Sequence, residues 1–181
     1  LSKGGNLEIQ LPSYQVCFGK LANRHKDSFR DESFEQLKAD IEATNGNQVA
    51  IIVRPLCGPD TFDKMNQGFR YEVIAGHRRL RACQALSTPV KAIVVPDMSD
   101  REAVVVMYAE NEKRQNLSPY EAGAMYDTWL REGIYKNQVE LAKERKLAAS
   151  EVSRALSIAR LPAVILEAFS SPLELQSKDG E

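Results

Sequence analysis

The stretch YEVIAGHRRLRACQAL, Tyr71 to Leu86, decides the reading of the first half of the chain. Tyr71 to Ala75 is a short apolar run suited to a strand, and Gly76 breaks it. From His77 the period changes to that of a helix, with Leu80, Cys83 and Leu86 on one side. A strand that hands over to a helix through glycine is a strand–turn–helix unit. The stretch from Gly76 to Arg81 carries three arginines, Arg78, Arg79 and Arg81, and no acid.

Working outward, Ser33 to Thr44 reads as a helix, because Ser33 and Gln36 form a capping-box pattern and Phe34, Leu37 and Ile41 share a face. Val49 to Val53 is a β-branched run that ends at Arg54-Pro55, and Cys57 to Gly68 has loop composition. Pro89 to Val95 supplies another strand, so strands and helices alternate up to residue 98. The fold class is therefore α+β: a small mixed α/β domain over 1–98, followed by a helical region.

From Ser99 the pattern is helical throughout. Ser99 and Glu102 form one capping box, and Ser118-Pro119-Tyr120-Glu121 forms another with proline at the first helical position. Gly133 closes that helix, Gln138 to Arg145 and Ala149 to Ala159 follow, and Pro162 opens a last helix reaching Phe169. Residues 99–117 read as a connecting helix, 118–170 as a helical domain and 171–181 as the start of a linker.

The composition is that of an ordinary globular protein, with 43% hydrophobic and 27% charged residues. No apolar run approaches the ~18 residues of a membrane helix, and Leu1 to Leu11 has no secretion signal. Three cysteines, Cys17, Cys57 and Cys83, lie far apart with no CxxC pairing, which points to reduced packing residues and a cytoplasmic location. The net charge of −1 gives no global case for a polyanionic partner, so any such case rests on local charge. Between Lys136 and Arg160 there are six basic residues against three acidic ones.

Three groups of residues carry chemistry. The first is Gly76-His77-Arg78-Arg79, where glycine allows close backbone approach, a helix N-terminus presents N–H groups, and guanidinium forks match phosphate oxygens. The second is Glu110-Asn111 with Arg114, oxygen donors suited to Mg²⁺ beside a phosphate-neutralising cation. The third, Gln138 to Ala159, fits a helix-turn-helix. Leu141 and Ala142 lie inside the first helix, Leu147 in the turn, and Val152 and Ala155 inside the second, with Ala142 small where two helices cross and Lys146 at the turn position where glycine is commonest. That arrangement leaves Ser150, Glu151, Ser153 and Arg154 outward on a recognition helix, with Gln138, Lys143, Arg145 and Lys146 placed for DNA contacts.

In this order the three groups resemble the ParB family over roughly residues 20 to 170. Gly76-His77-Arg78-Arg79-Leu80-Arg81-Ala82 is similar to its arginine-rich phosphate motif. Glu110-Asn111, Arg114, Leu117, Ser118 and Glu121 resemble its second box, Gln138 to Pro162 its helix-turn-helix, and Asn23-Arg24 a short N-terminal motif near the nucleotide. The resemblance implies a sulfiredoxin-like nucleotide-binding domain and a CTP-dependent DNA clamp that loads at a centromere-like site. Arg78 and Arg79 would hold phosphates, Asn111 and Glu110 the Mg²⁺, with Glu110 beside the γ-phosphate as the catalytic group of a weak, DNA-stimulated CTP hydrolase. It further implies a ParA-type ATPase partner and a homodimer whose C-terminal dimerisation region lies outside this sequence. The family's commonest motif has glutamate where this chain has His77, a variant associated with plasmid-type members. A static helix-turn-helix repressor without nucleotide chemistry is the alternative. A nuclease or phosphotransferase is disfavoured, because the DNA reader would then be superfluous and no His/Cys metal cluster is present.

Overall fold

The computed structural model describes residues 7–19, 21, 31–112, 118–162 and 165. The chain divides into two compact units, residues 1–20 with 28–107 and residues 21–27 with 108–181. The α+β reading holds: a mixed α/β unit precedes a helical one.

The first unit is built on a five-stranded sheet. In chain order its elements are strands β1 (Leu7–Leu11) and β2 (Val16–Phe18), helix α1 (Glu32–Ala43), strand β3 (Ile51–Pro55), helix α2 (Phe62–Asn66), strand β4 (Tyr71–Ala75), helix α3 (His77–Ala85) and strand β5 (Val90–Val94). The spatial order is β1-β5-β3-β4-β2. β1 runs antiparallel to β5 and β3 antiparallel to β4, while β3 is parallel to β5 and β2 to β4. Phe34 and Ile41 of α1 and Leu80, Ala82 and Cys83 of α3 share one buried cluster with Ile51, Val53, Val73, Val90 and Ala92 from the strands.

The differences from the sequence reading have local causes. Asp31, not Ser33, caps α1: its carboxylate accepts the Phe34 N–H at 2.7 Å, and the helix begins at Glu32. β3 starts at Ile51 and not at Val49, because the carbonyls of Val49 and Ala50 accept from the Arg79 guanidinium at 2.7 and 2.8 Å. The loop Cys57 to Gly68 contains the one-and-a-half-turn α2, which buries none of its residues and so carries no amphipathic period. β1 and β2, the two sheet edges, were not anticipated.

Helix α4 (Asp100–Glu112) runs from the first unit into the second. The second unit continues with α5 (Pro119–Arg131), α6 (Gln138–Arg145) and α7 (Ala149–Ala159). Ser118 and Glu121 make the reciprocal capping box expected of them, as Ser99 and Glu102 do at α4. Gly133, at φ +71°, lies two residues past the end of α5. Trp129 is fully buried, with the rings of Tyr126, Tyr135 and Tyr108 at 5.8, 6.1 and 6.5 Å between centroids. α5 and α7 cross closely at Gly123, where a methyl group would stand 1.8 Å from the Ala155 carbonyl oxygen. The helix read from Pro162 to Phe169 and the linker beyond it lie outside the described residues, apart from Pro162 and Ile165.

Candidate functional site

Gly76 positions the arginine motif. It ends β4 and caps α3 in the left-handed region at φ +91°, and a Cβ there would stand 2.6 Å from Ile51 Cγ2. Glycine is thus required twice, by the backbone angle and by the neighbour. Having no side chain, Gly76 makes no side-chain cap hydrogen bond to the first turn of α3. A helix start of this kind presents amide N–H groups and a partial positive charge.

The two arginines after the turn leave in different directions. Arg79 donates from one nitrogen to the carbonyls of Val49 and Ala50, pinning the entry to β3. Arg78 forms a fork on Asp31, with Nη1 to Oδ2 at 3.0 Å and Nη2 to Oδ1 at 2.7 Å. Its Nη2 also donates to Ser33 Oγ at 2.7 Å, and its guanidinium lies 5.7 Å over the centre of the Phe34 ring. This contact holds the Asp31 carboxyl below the usual carboxylate range. Asp31 was not legible as a site residue, because nothing local connects it to a helix 47 positions away. His77 is buried, its ring 5.9 Å from that of Phe18. The structure thus gives His77 a packing contact at the helix start.

A second ionic cluster in this unit lies apart from the motif. Arg54 bonds Glu72, Asp100 Oδ1 at 2.6 Å and the Met98 carbonyl at 2.9 Å. It ties β3 and β4 to the start of α4, and it lines a cleft of about 180 Å³ with Lys64, Thr61 and Cys57.

Glu110 lies half-buried in the last turn of α4, and Asn111 follows it there. Asn23, Arg24 and Arg114 lie outside the described residues. The first and second motifs belong to different compact units, residues 76–79 to the first and 110–111 to the second. Among the described residues no group of three or more His, Cys, Asp or Glu side chains is placed to hold a metal ion, and no helix is long and apolar enough to cross a membrane.

In the second unit α6 and α7 form a helix-turn-helix. Asn137 caps α6, accepting from Val139 N and Glu140 N at 3.0 and 2.9 Å. Lys146 makes the turn in the left-handed region at φ +57°, and Leu147 N bonds Ala142 O at 2.9 Å. Val152, Ala155, Leu156 and Ile158 face inward, whereas Ser150, Glu151, Ser153 and Arg154 are all exposed. Ser157 continues the exposed face and was missed, although its spacing of four from Ser153 is the signal that finds it. Gln138, Lys143 and Lys146 are exposed too. Arg145 departs from expectation: its side chain is only 12% exposed, lies 5.8 Å over the Tyr135 ring and approaches Glu144 at 3.9 Å. It packs against the unit and does not project outward as a phosphate contact would.

Residues 6–112 match the family model for the ParB N-terminal domain, and residues 117–181 match that for the centromere-binding protein HTH domain. Among curated relatives, the chromosome-partitioning protein Spo0J of Thermus thermophilus is 36% identical over 169 residues, covering 93% of this chain and 57% of that protein. The probable chromosome 1-partitioning protein ParB of Deinococcus radiodurans is 30% identical over 148 residues, covering 82% and 46%. A nucleoid occlusion protein of Oceanobacillus iheyensis is 30% identical over 161 residues, covering 86% and 52%. The chain spans about half the length of these relatives. Among solved structures, the C-terminally truncated chromosome-partitioning protein ParB of Caulobacter crescentus, complexed to the centromeric parS site, shares the fold. Its TM-score is 0.52 at 22% identity, covering 95% of this chain and 82% of that one.

Proposed function

The chain belongs to the ParB family, and from that premise we propose that it is a centromere-binding partition protein, reading a DNA site through α6 and α7 and using CTP with Mg²⁺ to switch a sliding clamp. The observation that carries the reading is the glycine-led start of α3, with Gly76, Arg78 and Arg79, in a chain whose other unit contains a helix-turn-helix with an exposed reading face. A plain DNA reader has no use for the first feature.

The residues fit the group that the family implies. Gly76 is required by its backbone angle and by its packing on Ile51, and the amides of the first turn of α3 that it leads into would donate to phosphate oxygens. Arg78 and Arg79 supply positive charge, with Asn23 and Arg24 as a further contact. Glu110 and Asn111 would hold the metal ion, and Arg114 would offset phosphate charge. CTP supplies the binding energy of a triphosphate and, when cleaved, a means of resetting the switch. Glu110 is the group assigned to weak hydrolysis stimulated by specific DNA, because His77 cannot supply the carboxylate of the family's commonest motif. On the DNA side Ser150, Glu151, Ser153 and Arg154 would read bases, while Gln138, Lys143 and Lys146 would contact phosphates. In this reading the protein works as a homodimer with a ParA-type ATPase in the cytoplasm, on the nucleoid or on a plasmid, and the relatives named for chromosome partitioning fit that setting.

One observation favours the static repressor instead: Arg78 and Arg79 both already have acceptors within their own unit. Calorimetric titration with CTP, ATP, GTP and UTP, with and without a DNA duplex selected by the protein itself, separates the readings. The clamp reading expects CTP-selective binding that Arg79→Ala abolishes while the variant keeps its DNA affinity. Absence of nucleotide binding in the wild type leaves the repressor.

A further inference from the structure

Arg78 already carries an anion: its fork makes two N–H···O bonds to the Asp31 carboxylate, at 3.0 and 2.7 Å. This is the same two-pronged geometry that a guanidinium offers to a phosphate, and one fork cannot give it to both at once. We propose that Asp31 is an internal competitor for the nucleotide phosphates, occupying the Arg78 fork in their absence and setting the affinity of the site. The proposal rests on the nucleotide reading above and deepens it.

The contact is built so that it can open without stranding either group. Asp31 has other work: Oδ1 accepts the Phe34 N–H at 2.7 Å and the Ser33 hydroxyl at 2.9 Å, neither of which needs Arg78. Its side chain is 49% exposed, so water takes up the lone pairs that Arg78 releases. The carboxylate also sits at the N-terminus of α1, where the helix dipole favours a negative charge. Arg78 is only 16% exposed and is backed by the Phe34 ring, so its charge sits in a partly dry place and gains more from an anion than a solvated lysine would. Releasing Asp31 is cheap, and leaving Arg78 without an anion is not. An incoming phosphate replaces one anion by another.

Asp31→Asn isolates the charge, because asparagine ranks with aspartate as a helix cap and its amide oxygen still accepts the Phe34 N–H. CTP with Mg²⁺ is titrated calorimetrically into wild type and variant. The variant is expected to bind about three- to fivefold more tightly, the span that a half-exposed ion pair allows. Ser33→Ala, which removes a neutral partner of Arg78, is expected to leave affinity within about twofold. A second readout needs no variant: the carboxyl carbon of Asp31 is followed by NMR across acid pH. Its titration is expected to move up towards that of an ordinary aspartate when CTP saturates the protein, because the guanidinium that depresses it has left. Equal or weaker CTP binding by Asp31→Asn, or an Asp31 titration that CTP leaves in place, overturns the competitor role and makes Asp31 a structural tie between α1 and α3. A wild type that binds no CTP overturns the nucleotide reading itself and takes this role with it.

Discussion

Gly123→Ala tests the geometry on which the DNA reader depends. On α5 the added methyl would lie 1.8 Å from the Ala155 carbonyl oxygen, 2.5 Å from its carbon and 2.9 Å from the Ala159 Cβ. The first two atoms are backbone of α7 and cannot rotate aside, so the helices must part by about 1.5 Å to restore normal contact. A gap of even 0.5–1 Å forfeits roughly a quarter to a half of each dispersion contact, and this crossing is made by the face that buries Val152, Ala155, Leu156 and Ile158. Overpacking costs about 1–3 kcal/mol, and with immovable backbone on one side the top of that range applies. Alanine gains about 1 kcal/mol over glycine in a helix interior. The net loss is about 2 kcal/mol, or roughly 10 °C in Tm for a unit of this size. Urea unfolding followed by fluorescence of Trp129, the single tryptophan, reports on this unit directly, since the residue is fully buried beside α5's own Tyr126. A midpoint equal to or above wild type would mean that propensity outweighs contact, and the close crossing would be refuted.

Three further outcomes follow from single positions. Lys146→Gly is expected to stabilise the second unit by about 0.5–1 kcal/mol, because lysine holds the left-handed turn at a steric cost that glycine avoids; an unchanged urea midpoint counts against that turn. Arg54→Ala is expected to cost about 3 kcal/mol, since it leaves Glu72, 7% exposed, as a buried carboxylate without its cation. Thermal unfolding by circular dichroism measures this, and adding Glu72→Gln should recover part of the loss. Arg154→Ala is expected to weaken binding to the selected DNA by about 1–3 kcal/mol while leaving random DNA nearly unaffected; an equal loss on both would make Arg154 a phosphate contact.

The parts of the fold legible in the sequence are those whose burial pattern is local. Tyr71–Ala75 and the bounds of α6 and α7 match the sequence reading residue for residue, because each pairs a strong apolar pattern with nearby punctuation: Gly76, Asn137, the Lys146 turn and Arg160. β2 has three residues, too few for any period, and exists because it pairs with β4 from the far side of the chain. β1 differs: Leu7, Ile9 and Leu11 alternate with Glu8 and Gln10, a strand pattern of period two that is legible locally.

The site was legible in its cations and illegible in their partners. Glycine followed by arginines at a strand-to-helix step identifies a charged helix start from spacing alone, but what each guanidinium touches depends on contacts made 29 to 47 positions away. The same holds at the helix crossing. The spacing of Ala142 suggested a small residue between packed helices, and Ala142 is indeed buried, yet Gly123, 19 positions earlier, meets the backbone of α7. Arg145 shows the limit from the other direction. Its charge and position matched a DNA contact as well as Lys143 did, and the deciding fact was the ring of Tyr135 ten residues before it, which offers a face for the guanidinium that a lysine would use less well. Charge read along a chain therefore identifies which segments can meet a polyanion. Which individual cations remain free to do so is decided by the aromatic rings, carbonyls and carboxylates that the fold brings beside them, and in this chain Arg78, Arg79 and Arg145 each have such a neighbour.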